Sequence, residues 1–310
     1  MWAFLCPEEK QSEYSVFHYV PLAKSGDTML KIKTPFFISI LLALSSDCIA
    51  TALAQEWAMV TQPTHDTLAQ SIGNYNAGCI SGAVSLPIDG VGYQVMRLSR
   101  KRYYGHPSLK QFIEKLGQNA DNQNLGSLLI GDLGQPRGGP TLSGHRSHQT
   151  GLDVDIWFLL STNASSARLS FNERETLGAP SMLKTQSDSI DLTKWSKANE
   201  KILELAAQQP EVDRIFVNPS IKRELCTHLA NKDWLKKIRP WWQHEDHFHV
   251  RLKCPNGNAF CQGQEPLPVG NGCDSGLAWW FSEEAKHPSK PQAPPKPLEL
   301  PKLCNNVLNQ

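Results

Sequence analysis

The stretch Ser143–Trp157 reads SGHRSHQTGLDVDIW. From its second half onward, Leu152, Val154, Ile156 and Phe158 alternate with Asp153, Asp155 and Trp157. A two-residue period of this kind predicts a strand with one apolar face. Asp155 therefore points away from the core side, where a carboxylate buried without a partner is costly and a cation removes the cost. His148 stands seven residues earlier in the preceding loop, and Gly151 lets the chain turn back toward the strand. A second segment, HEDHFHVRL over 244–252, repeats the pattern. Phe248, Val250 and Leu252 face one way, and His247, His249 and Arg251 the other.

Two separated segments thus offer imidazole and carboxylate donors, which is how a folded domain builds a metal site. Two imidazoles with one carboxylate leave a fourth position open and favour Zn2+, whereas Ca2+ and Mg2+ prefer oxygen donors. Residues two apart on a strand lie roughly 6–7 Å apart, so one imidazole of the His247/His249 pair ligates while the other reaches a bound water. His145 and His244 are either ligands or near neighbours of the metal, or ordinary loop residues; Asp153 reads as structural.

The chain has 310 residues, with 40% hydrophobic content, enough for one large or two small domains. Lys and Arg total 31 against 30 for Asp and Glu, so no global basic field marks nucleic acid as a partner. Lys31 and Lys33, an apolar run from Phe36 to Leu44 and an Ala52-Leu53-Ala54 end read as an export signal over 29–54. Residues 1–28 do not belong to such a signal, and translation is expected to start at Met29. A lipid anchor at Cys48 is the weaker reading, because Asp47 stands where a small residue is needed. The mature protein is then expected in the periplasm without a membrane anchor. Its six cysteines, Cys79, Cys226, Cys254, Cys261, Cys273 and Cys304, suit three disulfides there.

The remaining patterns read as α+β: a central antiparallel sheet flanked by helices and long loops, with the zinc site on the sheet face. Residues 61–87 read as linker-like. Tyr93, Val95 and Leu98 predict a strand beside a basic cluster of Arg97, Arg100, Lys101 and Arg102, which is either a solvated face or a contact for substrate carboxylates. Leu109, Phe112, Ile113 and Leu116 predict a helix from Pro107 that ends at Gly117. Leu128–Ile130 is a short strand, followed by a Gly/Pro-rich loop. Residues 163–194 read as a polar surface excursion, Trp195–Gln209 as a helix, Arg214–Val217 as a strand, and Asn218-Pro219 as the start of a helix through Cys226. Trp241 and Trp242 are core or cleft wall, with a sugar platform as the alternative. From Lys286 to Cys304 six prolines mark an extended tail.

SGHRSHQTGLDVDIW, the preceding QPRGGP, RIFVNPSIKRELC and RPWWQHEDHFHVRLKCP together resemble the penicillin-insensitive murein endopeptidases. The similarity covers nearly all of residues 55–304. The resemblance implies an exported zinc metallopeptidase domain over 55–285, with the 286–310 tail pinned by Cys304. It implies His148, Asp155 and His249 as zinc ligands, His145 as a possible extra one, His247 as the base and His244 beside it. Glu245 remains a rival base. It also implies the disulfides Cys79–Cys304, Cys226–Cys273 and Cys254–Cys261. The implied partner is peptidoglycan, cut at the D-alanyl-meso-diaminopimelyl cross-link without inhibition by β-lactams. Arg137 and Arg146 are candidates for holding the diaminopimelate carboxylate, with a structural role as the alternative for each. A carboxypeptidase acting on terminal D-alanine, or a non-catalytic zinc-containing peptidoglycan-binding module, are the rival functions.

Overall fold

Four apolar side chains at every second position, Leu152, Val154, Ile156 and Phe158, are buried in one core cluster together with Phe248, Val250 and Leu252. Burying each such side chain stabilises the fold by about 1.5–3 kcal/mol, so this alternation fixes which way the central strands face. The computed structural model describes residues 52–66, 68–142, 146–287 and 299–310. The strands are β1 (Gln70–Asn74), β2 (Ala77–Ser81), β3 (Val84–Ser85), β4 (Asp89–Gly90), β5 (Tyr93–Val95), β6 (Tyr104–Gly105), β7 (Leu128–Ile130), β8 (Asp153–Trp157), β9 (Val212–Val217), β10 (Ile238–Pro240) and β11 (His247–Leu252). The principal sheet has seven strands in the order β10-β9-β11-β8-β7-β5-β4. Its centre is antiparallel, β9 and β7 flanking the β11–β8 pair, while β10–β9 and β5–β7 pair in parallel.

Helices cover the apolar face. α1 (Pro107–Asn122) contributes Leu109, Phe112, Ile113 and Leu116; α2 (Lys197–Gln208) contributes Ile202, Leu203 and Ala206; α3 (Pro219–His228) contributes Ile221 and Leu225. The α1 helix runs on past Gly117, where the sequence predicts its end. A Cβ at Gly117 would lie 2.5 Å from the Val91 carbonyl oxygen, so this glycine serves close helix-to-chain approach and not termination. His106 caps the helix through the Ser108 amide, and Pro107 takes the first turn.

Three other expectations are corrected. The linker-like region holds the β1–β2 hairpin, in which Ile72 pairs with Cys79, and β2 is buried along its whole length. Residues 163–194 are not a simple surface excursion. The short helix Phe171–Thr176 carries Arg174 into the interior, where its guanidinium donates to the Ile88 and Val95 carbonyls and pairs with Asp89. Leu98, read as strand, instead opens a 3-10 turn, Leu98–Arg100. The neighbouring basic cluster is structural: Arg100 and Arg102 both reach Asp132, at 3.0 and 3.1 Å, and Arg97 lies over the Trp157 ring.

The three bridges Cys79–Cys304, Cys226–Cys273 and Cys254–Cys261 are present. The first holds a C-terminal helix, Leu303–Leu308, against the hairpin, so the tail ends in a helix and not in an extended segment. Among the described residues no helix is long and apolar enough to cross a membrane. The expected export signal, Cys48 and most of the proline-rich tail lie outside the described residues.

In the chain-entropy picture a bridge stabilises more when it closes a longer loop. Replacing Cys79 and Cys304, 225 positions apart, by Ser is expected to lower the unfolding free energy by about 2–5 kcal/mol. The equivalent change at Cys254 and Cys261, 7 positions apart, should cost less. Guanidinium unfolding midpoints of the two double variants give the order, and a reversed order contradicts this reading.

Candidate metal centre

The register of β8 against β11 sets His249 directly opposite Asp155. Opposed residues of an antiparallel pair share a face, so both side chains stand on the side away from the helices. His249 Nδ1 lies 3.0 Å from Asp155 Oδ1, and His148 Nε2 lies 3.5 Å from Asp155 Oδ2. His148 comes from the loop before β8 with a left-handed φ of 68°. That conformation costs about 1–3 kcal/mol for a non-glycine residue and is typical of functional positions. It places the His148 ring edge-on to His249, with centroids 4.7 Å apart. All three residues are buried, and one donor atom from each lies within 4.8 Å of the others.

This donor set fits a metal ion on its chemistry. Burial by itself raises the pKa of Asp155, yet the imidazoles of His148 and His247 reverse the sign and hold its carboxyl well below the usual range. The carboxylate is therefore anionic and draws positive charge toward itself, raising the pKa of His148 in turn, and a divalent cation among these donors supplies that charge. Asp153 completes the support. It is fully buried, its Oδ1 is 2.7 Å from His249 Nε2, and the same oxygen accepts from Arg251 Nε at 2.7 Å. With Nε2 donating to Asp153, the lone pair of His249 is left on Nδ1, facing Asp155. An imidazole that ligates a metal commonly gives its other N–H to a carboxylate in this way.

His247 lies at the cleft side of this cluster. Its Nδ1 is 2.5 Å from Asp246 Oδ1 and its Nε2 is 3.8 Å from Asp155 Oδ1. Burial lowers its pKa, but Asp155 and Asp246 outweigh burial and raise it. His244 behaves oppositely: burial pushes it down to about 4. Its Nδ1 is 2.8 Å from the Trp242 carbonyl oxygen. A carbonyl only accepts, so Nδ1 donates and Nε2 keeps a lone pair. The His244 ring is 4.9 Å from that of His247. Glu245 accepts from Asn218 Nδ2 at 3.4 Å, and burial raises its pKa. Phe216 packs edge-on to both His249 and Trp241, joining the cluster to exposed Trp241 and Trp242 as a cleft wall.

The family model described as penicillin-insensitive murein endopeptidase matches residues 71–309. The chain belongs to this family, and it is a peptidase. It is 41% identical over 284 residues to a penicillin-insensitive murein endopeptidase of Haemophilus influenzae, covering 90% of this chain and 95% of that protein. Proteins of the same name from Klebsiella pneumoniae subsp. pneumoniae and Escherichia coli O157:H7 are 43% and 42% identical, each covering 87% of this chain and 96% of the relative.

Of the sequence-expected site residues, His148, Asp155, His249, His247 and His244 come together. His145 lies outside the described residues, and Arg146 is exposed beside them. For Arg137 the structure favours the structural alternative: it is buried, and its guanidinium donates to the backbone carbonyls of Gln62, Val307 and Leu308, which ties the C-terminal helix to the domain. The sequence reading missed Asp246 and Arg251 and undervalued Asp153. Their signal was present in the alternation that puts Arg251 on the face of His249 and Asp153 on the face of Asp155.

Replacing Arg137 by Ala is expected to lower the unfolding free energy by about 2–4 kcal/mol, since three carbonyls lose a charged donor. The KM of the folded variant should stay at the wild-type value. A large rise in KM with unchanged stability would return Arg137 to the substrate.

Proposed function

We propose that this chain is a zinc-dependent murein endopeptidase that hydrolyses the D-alanyl-meso-diaminopimelyl cross-links of peptidoglycan in the periplasm. The observation that carries this reading is the convergence of His148, Asp155 and His249, set by the β8–β11 register, in a chain of the murein endopeptidase family. His148, Asp155 and His249 would hold the ion, with Asp153 orienting His249. When bound, zinc supplies a Lewis acid that polarises a carbonyl and lowers the pKa of water toward 7.

The other steps belong to side chains. His247 accepts the proton of the attacking water at Nε2, because Asp246 occupies Nδ1 and leaves the lone pair on the cleft side. The same nitrogen then protonates the departing amine of diaminopimelate. Asp155 and Asp246 stabilise the imidazolium in between. His247 is favoured over Glu245 because Glu245 is held by Asn218. His244 stays neutral and presents Nε2 as a fixed acceptor beside the reacting groups. No acyl-serine forms in this scheme, so a β-lactam has no nucleophile to acylate. The segment 29–54 would direct export, in keeping with three disulfides.

Purified cross-linked muropeptide dimers should be converted to monomers with a new diaminopimelyl amine, followed by chromatography and mass spectrometry. Chelator should stop conversion and zinc should restore it. Intact dimers, or loss of terminal D-alanine alone, would contradict the proposal. His247→Ala is expected to keep its zinc and lose about 100- to 10,000-fold in kcat, whereas His249→Ala loses zinc and activity together. Near wild-type turnover in either variant removes that residue from its role.

A further inference from the structure

Opposed residues run in one row across the site face of the sheet: Arg239 on β10, Phe216 on β9, His249 on β11 and Asp155 on β8. The next row holds Arg214, Arg251 and Asp153. Three guanidinium groups thus share the face that carries the metal centre. Arg251 is committed to Asp153 and to Gln264 Oε1, at 2.7 and 2.6 Å. Arg214 donates to Asp213 and to the Glu265 carbonyl, both at 2.7 Å. Arg239 differs: among the described residues it has neither a hydrogen-bond acceptor nor a carboxylate at ion-pair distance.

Its surroundings make that condition costly. Arg239 is half-buried, and burial together with Arg214 depresses its pKa. The carboxylate that acts on it, Asp274, caps the following helix through the Gly276 amide. A second basic group stands close by, the Lys222 amine, whose pKa burial and Arg239 bring down to about 7. A Cβ built on Gly272 would be 3.3 Å from Arg239 Nη1 and 3.6 Å from Lys222 Nζ, so both groups flank this glycine, whose φ is 70°. The Lys222 amine donates to the carbonyls of Leu235 and Asn271, and not to a carboxylate. The Cys226–Cys273 bridge fastens the glycine loop to α3. The arrangement is therefore tied in place by a disulfide, carries the charge of Arg239, and among the described residues offers that guanidinium no anion at ion-pair distance.

We infer that Arg239 is a specificity-determining residue that binds a free carboxylate of the peptide substrate, in a subsite two strands from His249. The inference rests on the murein peptidase reading above. Strands are spaced about 4.8 Å apart, which puts the backbone of Arg239 roughly 10 Å from that of His249. An extended peptide covers that span in about three residues. Peptide stems of murein carry free carboxylates on diaminopimelate and at their C termini, within this range of the scissile bond. The planar fork of Arg suits a carboxylate with two parallel hydrogen bonds. Phe216, between Arg239 and His249, gives the intervening peptide an apolar floor.

The test compares muropeptide dimers with free carboxylates against the same dimers amidated there, using wild type, Arg239→Ala and Arg239→Gln. Wild type should favour the free form. Both variants should lose about 10- to 100-fold in kcat/KM on it, mainly through KM, and change little on the amide. Zinc content and melting temperature should match wild type. Calorimetric binding of the monomeric stem peptide and its amide to the same proteins gives a readout that needs no turnover. Preference for the free stem in wild type, absent in both variants, supports the subsite. Equal binding of both forms, no binding of either, or an unchanged preference in the variants overturns it. Failure of the murein reading would show separately, as absence of dimer cleavage by wild type.

Discussion

The pairing of β8 with β11 is the constraint on which the site depends. A slip of one residue would turn His249 and Asp155 toward the helices and bring Val250 and Val154 to the cleft. The slip is resisted by the apolar side of the same strands, since Val154, Ile156, Phe248 and Val250 would all leave the core. Hydrophobic burial thus enforces the chemistry on the opposite face. The site residues are held in register by residues that never touch a substrate.

Electrostatics then act on a scaffold already set. Asp153 and Asp155 bring two carboxylates to the buried floor of the cleft, and each is countered differently. Asp153 is balanced by Arg251 and fixes one nitrogen of His249. Asp155 lies among the imidazoles of His148, His247 and His249, and a cation is the natural complement of a carboxylate in that company. His247 and His244 show how neighbouring imidazoles are made unlike. Adjacent carboxylates favour protonation of the first, while burial keeps the second neutral even though its hydrogen bond to the Trp242 carbonyl acts the other way. Two imidazoles of unlike proton affinity stand side by side as a result.

Much of this was legible in the sequence. The two-residue alternation of 152–158 and 247–252 announced both strands and their faces, and the spacing of His148 and Asp155 announced the centre. Less was legible where a contact comes from far away. Gly117 reads as a helix stop, and only the approach of Val91 explains why the helix continues. The β1–β2 hairpin has a composition rich in Gly and Ser; its burial follows from the Cys79–Cys304 bridge and from packing by the C-terminal helix. Arg174 lies in a polar stretch, and its burial depends on carbonyls from β5 and its neighbours. Arg137 precedes His148 in the same Gly/Pro-rich loop, but its partners lie at the two ends of the domain. Arg239 sits before the conspicuous Trp241 and Trp242 with no local pattern to mark it; its place in the row of His249 appears only when β10 joins the sheet.

The proposed chemistry needs one ion held by His148, Asp155 and His249, with Nδ1 of His249 as the donor because Asp153 takes Nε2. Anomalous diffraction at the zinc edge from crystals of the zinc-loaded protein tests this directly. The expected result is a peak bounded by these three side chains, on the Nδ1 side of His249, with the Asp153 hydrogen bond intact. A peak remote from them, or ligation through His249 Nε2 with Asp153 displaced, would contradict it.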